Sequence, residues 1–413
     1  MLYVDWLFLD MNSFFASAEQ HLQPRLRGRP VAVVPVRTDR TCCIAASYEA
    51  RAYGVKTGTN VGEARRRCPG LVLVEGRHER YVELHHRIIA AVETVLPVEK
   101  VCSIDEMACR LSPQHRETGA AMALARHVKC AIDEQIGPSL KCSIGLATNR
   151  FLAKVASNMQ KPDGLSVIAR EELPRRLHAL ELTDFPGIGR NMERRLHACG
   201  IRTTRQLCGL SKQALVDAWQ SVLGEQWWHW LRGDDCPERP TVRRTVGHSH
   251  VLPPELRTDD GARAVLVRLL HKAAMRLRQI GYWAKRMSVS LRYADGSPRW
   301  RRTLYLGCCQ DTPTMLKALD RAWRERLRGG RPLQPAITLL DLVPAASATP
   351  SLFEEDRRAL AAARAMDAAN LRFGAGAVYF ASMHEARAAA PLRIAFTNIP
   401  DVASESTDKG RLE

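Results

Sequence analysis

The chain opens on Trp6-Leu7-Phe8-Leu9, an apolar run that breaks at Asp10, and this predicts a buried strand delivering a carboxylate to a strand-to-helix turn. Asn12-Ser13 then predict the cap of a helix carrying Phe14, Phe15, Ala18 and Glu19. Val31 to Val34 and Cys43 to Ala46 read as short strands, and Tyr48 to Tyr53 and Val61 to Cys68 as helices set off by Gly54 and Gly58. Helical spacing returns from Arg80 to Val95. It is followed by Val101-Cys102-Ser103-Ile104, a strand expected to end in the adjacent carboxylates Asp105 and Glu106. The periodicity next predicts a helix over 118–136, a strand from Lys141 to Ala147, and a helix from Arg150 to Met159 that stops before Lys161-Pro162-Asp163-Gly164. Strands alternating with helices make this an α/β or α+β layer.

Between about 170 and 235 the pattern changes to short helices. Phe185-Pro186-Gly187-Ile188-Gly189, a helix from Met192 to Cys199 and Gly200-Ile201 look like a helix-hairpin-helix, in which Gly187 and Gly189 let backbone N–H groups approach phosphates. Trp227, Trp228 and Trp230 read as core of this module before they read as a base-stacking platform. After the proline-punctuated linker Cys236-Pro237-Glu238-Arg239-Pro240, strands over Arg286–Tyr293, Arg302–Leu306 and Ala336–Leu342 bracket helices at 259–280 and 313–328. That is the pattern of a two-layer βαββαβ domain. His248 and His250 lack carboxylate or thiol companions and are expected as solvated strand histidines. A small-residue linker, Ala345 to Pro350, leads into an Ala-rich helix at 355–371 and an ill-defined tail.

Charge narrows the partner. Lys+Arg of 61 against Asp+Glu of 44 gives a net charge of +17 over 413 residues, the balance of a protein that meets a polyanion. Residues 243–345 hold 20 Lys/Arg and 8 Asp/Glu, a surplus of 12 in one quarter of the chain. That quarter is the expected phosphate-binding surface, with Arg243, Arg244, Arg286, Arg292, Arg299, Arg301 and Arg302 as candidates. No run approaches the ~18 apolar residues of a membrane span, and the start lacks a charged leader and cleavage site. The 12 cysteines are scattered without a CxxC pair and read as reduced thiols of a cytoplasmic protein.

Asp10, Asp105 and Glu106 stand at two predicted strand ends, and adjacent strands lie close enough (~4.8 Å) for such groups to share cations. Hard oxygen donors at that spacing favour Mg²⁺, and ordinary solvated strand ends produce the same spacing. Tyr48, Arg51 and Lys161 add a hydroxyl, a guanidinium and an ammonium, which suit a triphosphate and equally suit local packing and ion pairing.

The motifs decide between these readings. Phe8-Leu9-Asp10-Met11-Asn12-Ser13-Phe14-Phe15-Ala16-Ser17-Ala18-Glu19, Ser47-Tyr48-Glu49-Ala50-Arg51-Ala52-Tyr53-Gly54-Val55, Ser103-Ile104-Asp105-Glu106, and Ser143-Ile144-Gly145-Leu146-Ala147-Thr148-Asn149 with Lys154 and Lys161-Pro162-Asp163-Gly164 closely resemble, in order and spacing, the Y-family translesion DNA polymerases of the polymerase IV and UmuC-like group. The resemblance covers roughly residues 5–345. It implies a multi-domain α+β right hand: palm at 1–20 and 78–168, fingers at 21–77, helical thumb at 169–235, linker at 236–242, little finger at 243–345 and a partner-binding tail at 346–413. It also implies a DNA-directed DNA polymerase, a nucleotidyltransferase of damage tolerance that extends primer-template DNA past lesions with dNTPs, at low fidelity and without proofreading.

Carried over residue by residue, the resemblance gives Asp10, Asp105 and Glu106, with the Met11 carbonyl, two Mg²⁺ ions to hold. It places Phe14, Phe15, Ser47, Tyr48, Arg51 and Lys161 at the nucleotide, with Phe15 as the steric gate against a ribose 2′-hydroxyl. Ala45 and Ala46 replace a Thr-containing pattern before Tyr48, which leaves Ser47 to supply that contact. Ser351-Leu352-Phe353 resembles the end of a sliding-clamp peptide, with Leu352 and Phe353 as the docking pair. Met366-Asp367, Asn370, Gly374, Gly376 and Val378-Tyr379-Phe380-Ala381 resemble the C-terminal region of UmuC, which implies UmuD-like or other SOS partner proteins. The rival from another class is a catalytically silent DNA-binding scaffold, and retention of all three carboxylates argues against it. A two-metal nuclease leaves Tyr48, Arg51 and Phe15 together without a role.

Overall fold

The run Trp6-Leu7-Phe8-Leu9 forms the strand β1 (Trp6–Met11), and all six of its residues are buried. A strand with no solvent side belongs at the middle of a sheet covered on both faces, and β1 lies there. The computed structural model describes residues 3–39, 41–237, 242–326, 329–349, 354–374, 376–387, 389–390 and 399. They divide into two units, one within 3–237 and one within 242–390, with Ile399 assigned to the first.

In the first unit β1 is followed by α1 (Phe14–Leu22) and by a small insertion built from β2 (Val31–Val34), β3 (Ala45–Ala46), α2 (Tyr48–Arg51), α3 (Val61–Arg67) and β4 (Val72–Glu75). The main sheet resumes through α4 (His78–Glu93), β5 (Lys100–Val101), β6 (Glu106–Arg110), α5 (Thr118–Gln135), β7 (Cys142–Ala147), α6 (Arg150–Met159) and β8 (Leu165–Ile168). Its order is β5-β6-β1-β7-β8, and the insertion has its own sheet, β3-β2-β4. Four helices complete the unit: α7 (Arg190–Ala198), α8 (Thr204–Gly209), α9 (Lys212–Trp219) and α10 (Leu223–Trp230). One core joins these helices to the sheet, running from Trp6, Phe8 and Leu152 to Phe185, Trp219 and Trp227. Asn149 seals the junction by donating to the Trp230 and Asp234 carbonyls at 3.0 and 3.2 Å.

Several expectations change here. Of Val101 to Ile104 only Val101 is strand, as the end of β5: the N–H groups of Cys102 and Ser103 both bond the Glu106 carbonyl, a tight turn, so Asp105 lies in the turn and Glu106 begins β6. The strands β4 and β8 were not predicted. Ser13 does precede α1, but it sits at φ 50° and its side chain caps nothing.

In the second unit the predicted βαββαβ order is present as β9 (Thr245–Ser249), α11 (Asp259–Gln279), β10 (Tyr282–Tyr293), β11 (Trp300–Cys309), α12 (Thr312–Arg324) and β12 (Pro332–Pro344). The sheet order is β11-β10-β12-β9, antiparallel throughout. One sheet face, with Met287, Val289, Leu291, Ile337 and Leu339, packs on Val265, Leu269, Leu270, Met315 and Leu319 of the two helices. Residues 354–374, 376–387 and 389–390 are ordered against this unit more than the composition suggests. In α13 (Glu354–Phe373), Asp367 takes two bonds from the Arg278 guanidinium at 2.6 and 2.8 Å, and Met383 and Ala386 enter the core of this unit. His248 and His250 are not solvated either: burial holds the His248 imidazole down at about 4, and His250 lies beneath the Ala390 N–H, which donates to its Nε2 at 3.4 Å.

Candidate active site

Because β1 and β6 run antiparallel, the end of one meets the start of the other, and Asp10 is the register partner of Glu106. The Met11 N–H donates to the Asp105 carbonyl at 2.8 Å, which fixes the third carboxylate beside the first two. Ser103 Oγ donates to Asp105 Oδ1 at 2.6 Å. Two ammonium groups reach in: Lys161 Nζ lies 2.7 Å from Asp10 Oδ1, and Lys154 Nζ lies 2.6 Å from Glu106 Oε2. The 161–164 loop is tied down by Asn12, whose Oδ1 accepts from the Asp163 N–H at 2.7 Å, while Asn12 Nδ2 donates to Ser143 Oγ at 3.0 Å.

Burial dominates the electrostatics. Asp10 is 7% exposed and its carboxyl is pushed up to about 6, first by desolvation and further by Asp105 and Glu106, with Lys161 opposing. Burial likewise raises the Asp105 carboxyl, against the Ser103 hydrogen bond. Among the described residues no three His, Cys, Asp or Glu side chains already converge on one point, and Asp10 and Glu106 are each paired with a lysine. Three adjacent hard-oxygen donors, two of them destabilised as anions by their burial, are still a donor set that fits a hard divalent cation.

The expected nucleotide residues separate into two groups. Tyr48 and Arg51 lie on α2, with the guanidinium 5.3 Å from the Tyr48 ring centroid and its Nε donating to the Ala46 carbonyl at 3.2 Å. Phe15 is half-buried on α1, stacked on Tyr81 at 4.6 Å between centroids. The side chains of Phe14 and Ser47 are engaged in packing and capping. Phe14 is buried edge-on to Tyr81, and the Ser47 hydroxyl is 1% exposed and spent on structure, accepting from the N–H groups of Val31 and Ala50 as the N-cap of α2. Lys154 had entered only as part of a motif. It comes into the site because β6 brings Glu106 within reach of α6, a contact across 48 residues of sequence.

Beside Asp105, Glu106 and Lys154 opens a cavity of about 1170 Å³ walled by Trp6, Phe8, Phe151 and Trp230, with Lys100, Arg110 and Arg150 also lining it. Trp227 is core, at 2% exposure. Gly187 has φ +100°, a conformation that a side chain would strain, and Gly189 is the N-cap of α7.

In the second unit the sheet face away from α11 and α12 carries Thr245, Gly247, Ser249, Ser290, Ala336 and Thr338, with Arg299 and Arg301, around a groove of about 450 Å³. Arg243 and Arg244 are exposed just before β9. Arg286 is exposed and paired with Asp341, and Arg292 donates to Gln334 Oε1 at 3.1 Å. Arg302 does not belong to this face. It alternates with Arg301 and shares its side of β11 with the core-packed Leu304 and Leu306, where it pairs with Glu325 at 3.1 Å. The clamp-docking pair Leu352 and Phe353 lies outside the described residues.

Comparison with known proteins agrees with this architecture. The sequence profile of the impB/mucB/samB family matches residues 9–158, and that of the family's C-terminal domain matches residues 243–352. DNA polymerase IV of Moorella thermoacetica is 34% identical over 384 residues, spanning 89% of this chain and 93% of its own length. DNA polymerase IV 1 of Bacillus subtilis is 28% identical over 375 residues, spanning 89% of this chain and 90% of its own. Among solved structures, the Y-family DNA polymerase chimera Dbh-Dpo4(243-245)-Dbh has a TM-score of 0.70 at 23% identity, over 82% of this chain and 99% of that one. DinB from Sulfolobus solfataricus has a TM-score of 0.52 at 24% identity, over 82% and 99%. The chain belongs to the impB/mucB/samB family of Y-family DNA polymerases, a family of nucleotidyltransferases that require divalent metal. The fold is the multi-domain right hand of that class, and the function it serves is translesion DNA synthesis.

Proposed function

We propose that the three carboxylates of the first unit are the centre of template-directed dNTP transfer to a primer, and that the register pairing of Asp10 with Glu106 is the observation that carries this assignment. Asp10, Asp105 and Glu106, with the Met11 carbonyl, would hold two Mg²⁺ ions, whose chemistry when bound is to make the attacking hydroxyl more acidic and to neutralise charge on the leaving oxygens. In the reaction the primer 3′-oxygen forms a bond to the α-phosphorus, the bond from that phosphorus to pyrophosphate breaks, and the hydroxyl proton leaves to solvent. Lys161, Arg51 and Tyr48 present an ammonium, a guanidinium and a hydroxyl to the triphosphate, so that positioning and charge supply most of the rate. Phe15 sits under the sugar and excludes a 2′-hydroxyl. The aromatic and basic cavity beside Asp105 receives the primer end.

Gly187 and Gly189 offer backbone N–H groups to phosphates, and Arg243, Arg244, Arg286, Arg292, Arg299 and Arg301 give the second unit its salt-dependent hold on duplex DNA. Low fidelity and the lack of proofreading are part of the same proposal, carried by the resemblance to the Y-family polymerases. Leu352 and Phe353 are proposed to dock on a sliding clamp, and SOS partner proteins such as UmuD-like subunits are proposed as further partners. Extension of a labelled primer on undamaged and abasic templates by the purified chain, with dNTPs and Mg²⁺, tests the reading. Distributive extension supports it, and tight DNA binding with no extension under any divalent ion would favour the scaffold.

A further inference from the structure

Glu19 is a buried carboxylate that the chemistry above does not use. It is 0% exposed, and both oxygens are fully subscribed. Oε1 accepts from Arg77 Nε at 3.0 Å and from the Tyr81 hydroxyl at 2.7 Å, and Oε2 accepts from Arg77 Nη2 at 2.5 Å and from Gln23 Nε2 at 2.8 Å. Four donors saturate the lone pairs of a carboxylate, so the group is rigid. It also joins two elements that are distant in sequence, because Glu19 lies on α1 while Arg77 caps α4 and Tyr81 lies in its first turn.

What the tether holds is a ring. Tyr81 is fully buried, its hydroxyl is kept protonated by that burial, and its ring stacks on Phe15 at 4.6 Å and 17°. Phe15 and Glu19 are four residues apart on α1 and so share a face of that helix. His78 closes the cluster edge-on, 5.9 Å from each of the two rings. The Phe15 ring therefore has a backing ring anchored at its hydroxyl by a hydrogen bond to a buried carboxylate.

We propose that Glu19 is a positioning residue for sugar selection: through the Tyr81 hydroxyl it fixes the ring behind Phe15, and so controls how firmly the gate resists a ribose. The inference rests on the reading of Phe15 as the gate. Freed of its hydroxyl anchor, the Tyr81 ring can slide, and Phe15 can recede from a 2′-hydroxyl by the few tenths of an ångström that a close contact requires.

The experiment compares kcat/KM for rNTP and dNTP incorporation in the full chain and in Phe15→Ala, Tyr81→Phe and Glu19→Gln, with a thermal melt of each. Tyr81→Phe keeps the ring and removes only the tether, so it remains informative if Glu19→Gln does not fold. The expected result is a rise of about tenfold in the rNTP-to-dNTP ratio for Tyr81→Phe and for a folded Glu19→Gln, below the rise in Phe15→Ala. A purely structural role would lower the melting temperature and slow both sugars alike, leaving the ratio where it was. A raised ratio in Phe15→Ala with an unchanged ratio in Tyr81→Phe overturns the proposal alone. An unchanged ratio in Phe15→Ala overturns the gate reading and the proposal with it.

Discussion

Replacing Gly164 by alanine would put a Cβ 1.9 Å from the carbonyl oxygen of Gln160 and 2.7 Å from its carbonyl carbon. Both are backbone atoms, so no rotamer relieves the overlap. Restoring an ordinary carbon–oxygen contact of about 3.3 Å means opening the loop by about 1.4 Å. Lys161 belongs to this loop, with its ammonium 2.7 Å from Asp10, and the loop is pinned where the Gly164 N–H donates to Ser143 Oγ at 3.2 Å. Overpacking of this kind costs about 1–3 kcal/mol of stability. A displacement of about 1 Å at a reacting centre costs on the order of a hundredfold in rate, which is the larger effect. The assay is single-nucleotide incorporation beside a urea melt, with Gly209→Ala as control, since a Cβ at Gly209 meets nothing within 4 Å. The expected outcome is a loss of about a hundredfold in kcat/KM for Gly164→Ala and no loss for Gly209→Ala. Incorporation within threefold of the parent chain, with an unchanged urea midpoint, would refute the account of how Lys161 is held.

Other consequences follow from the same geometry. His85, His248 and His271 are each held by burial at about 4, below the usual histidine value, so these three sites bind more protons in the unfolded chain than in the folded one between about pH 4 and 6.5. Their contribution to stability is full above about pH 6.5 and falls toward pH 4, by on the order of 1–3 kcal/mol per histidine, opposed below about pH 6 by the raised Asp10 carboxyl, and urea midpoints at pH 7.5, 5.5 and 4.5 in the parent chain and in Asp10→Asn measure it. A midpoint that stays level in Asp10→Asn as the pH is lowered would mean these imidazoles are not buried neutral. Arg301→Ala should lower the slope of log affinity against log salt by about 1, whereas Arg302→Ala, on the helix side of β11, should leave the slope alone. Equal slopes for the two variants would contradict the assignment of sheet faces. Chelating divalent ions should stop extension and Mg²⁺ should restore it, with DNA retained on the protein throughout in a gel-shift assay.

The parts of this molecule written in short-range pattern were legible. An unbroken apolar run gave β1, and 3.6-residue periodicity gave α4, α5, α6 and α11 to within a few residues. The motifs placed Asp10, Asp105 and Glu106 together before any pairing was known. What failed depended on partners elsewhere in the chain. Val101 to Ile104 reads as one strand, yet after Val101, where β5 ends in its pairing with β6, the Glu106 carbonyl takes the Cys102 and Ser103 N–H groups into a turn. Ser47 caps α2 through the Ala50 N–H, a local pattern, but its second bond, from the Val31 N–H, depends on where β2 lies. Arg302 looked like its neighbour Arg301, and only the alternation of β11 against a helical layer tells them apart. The tie between Glu19 and Tyr81 spans 62 residues and leaves no local signature.

The central claim is that Asp105 does chemistry and does not merely hold the fold or the DNA. Asp105→Asn keeps the shape of the side chain and its place beside Ser103, and removes the charge. Single-turnover incorporation of a dNTP into a bound primer-template, with DNA affinity measured on the same sample, tests the claim most directly. The expected result is a fall of at least about a thousandfold in the incorporation rate with affinity within threefold of the parent chain. Incorporation at the parental rate by Asp105→Asn would contradict it.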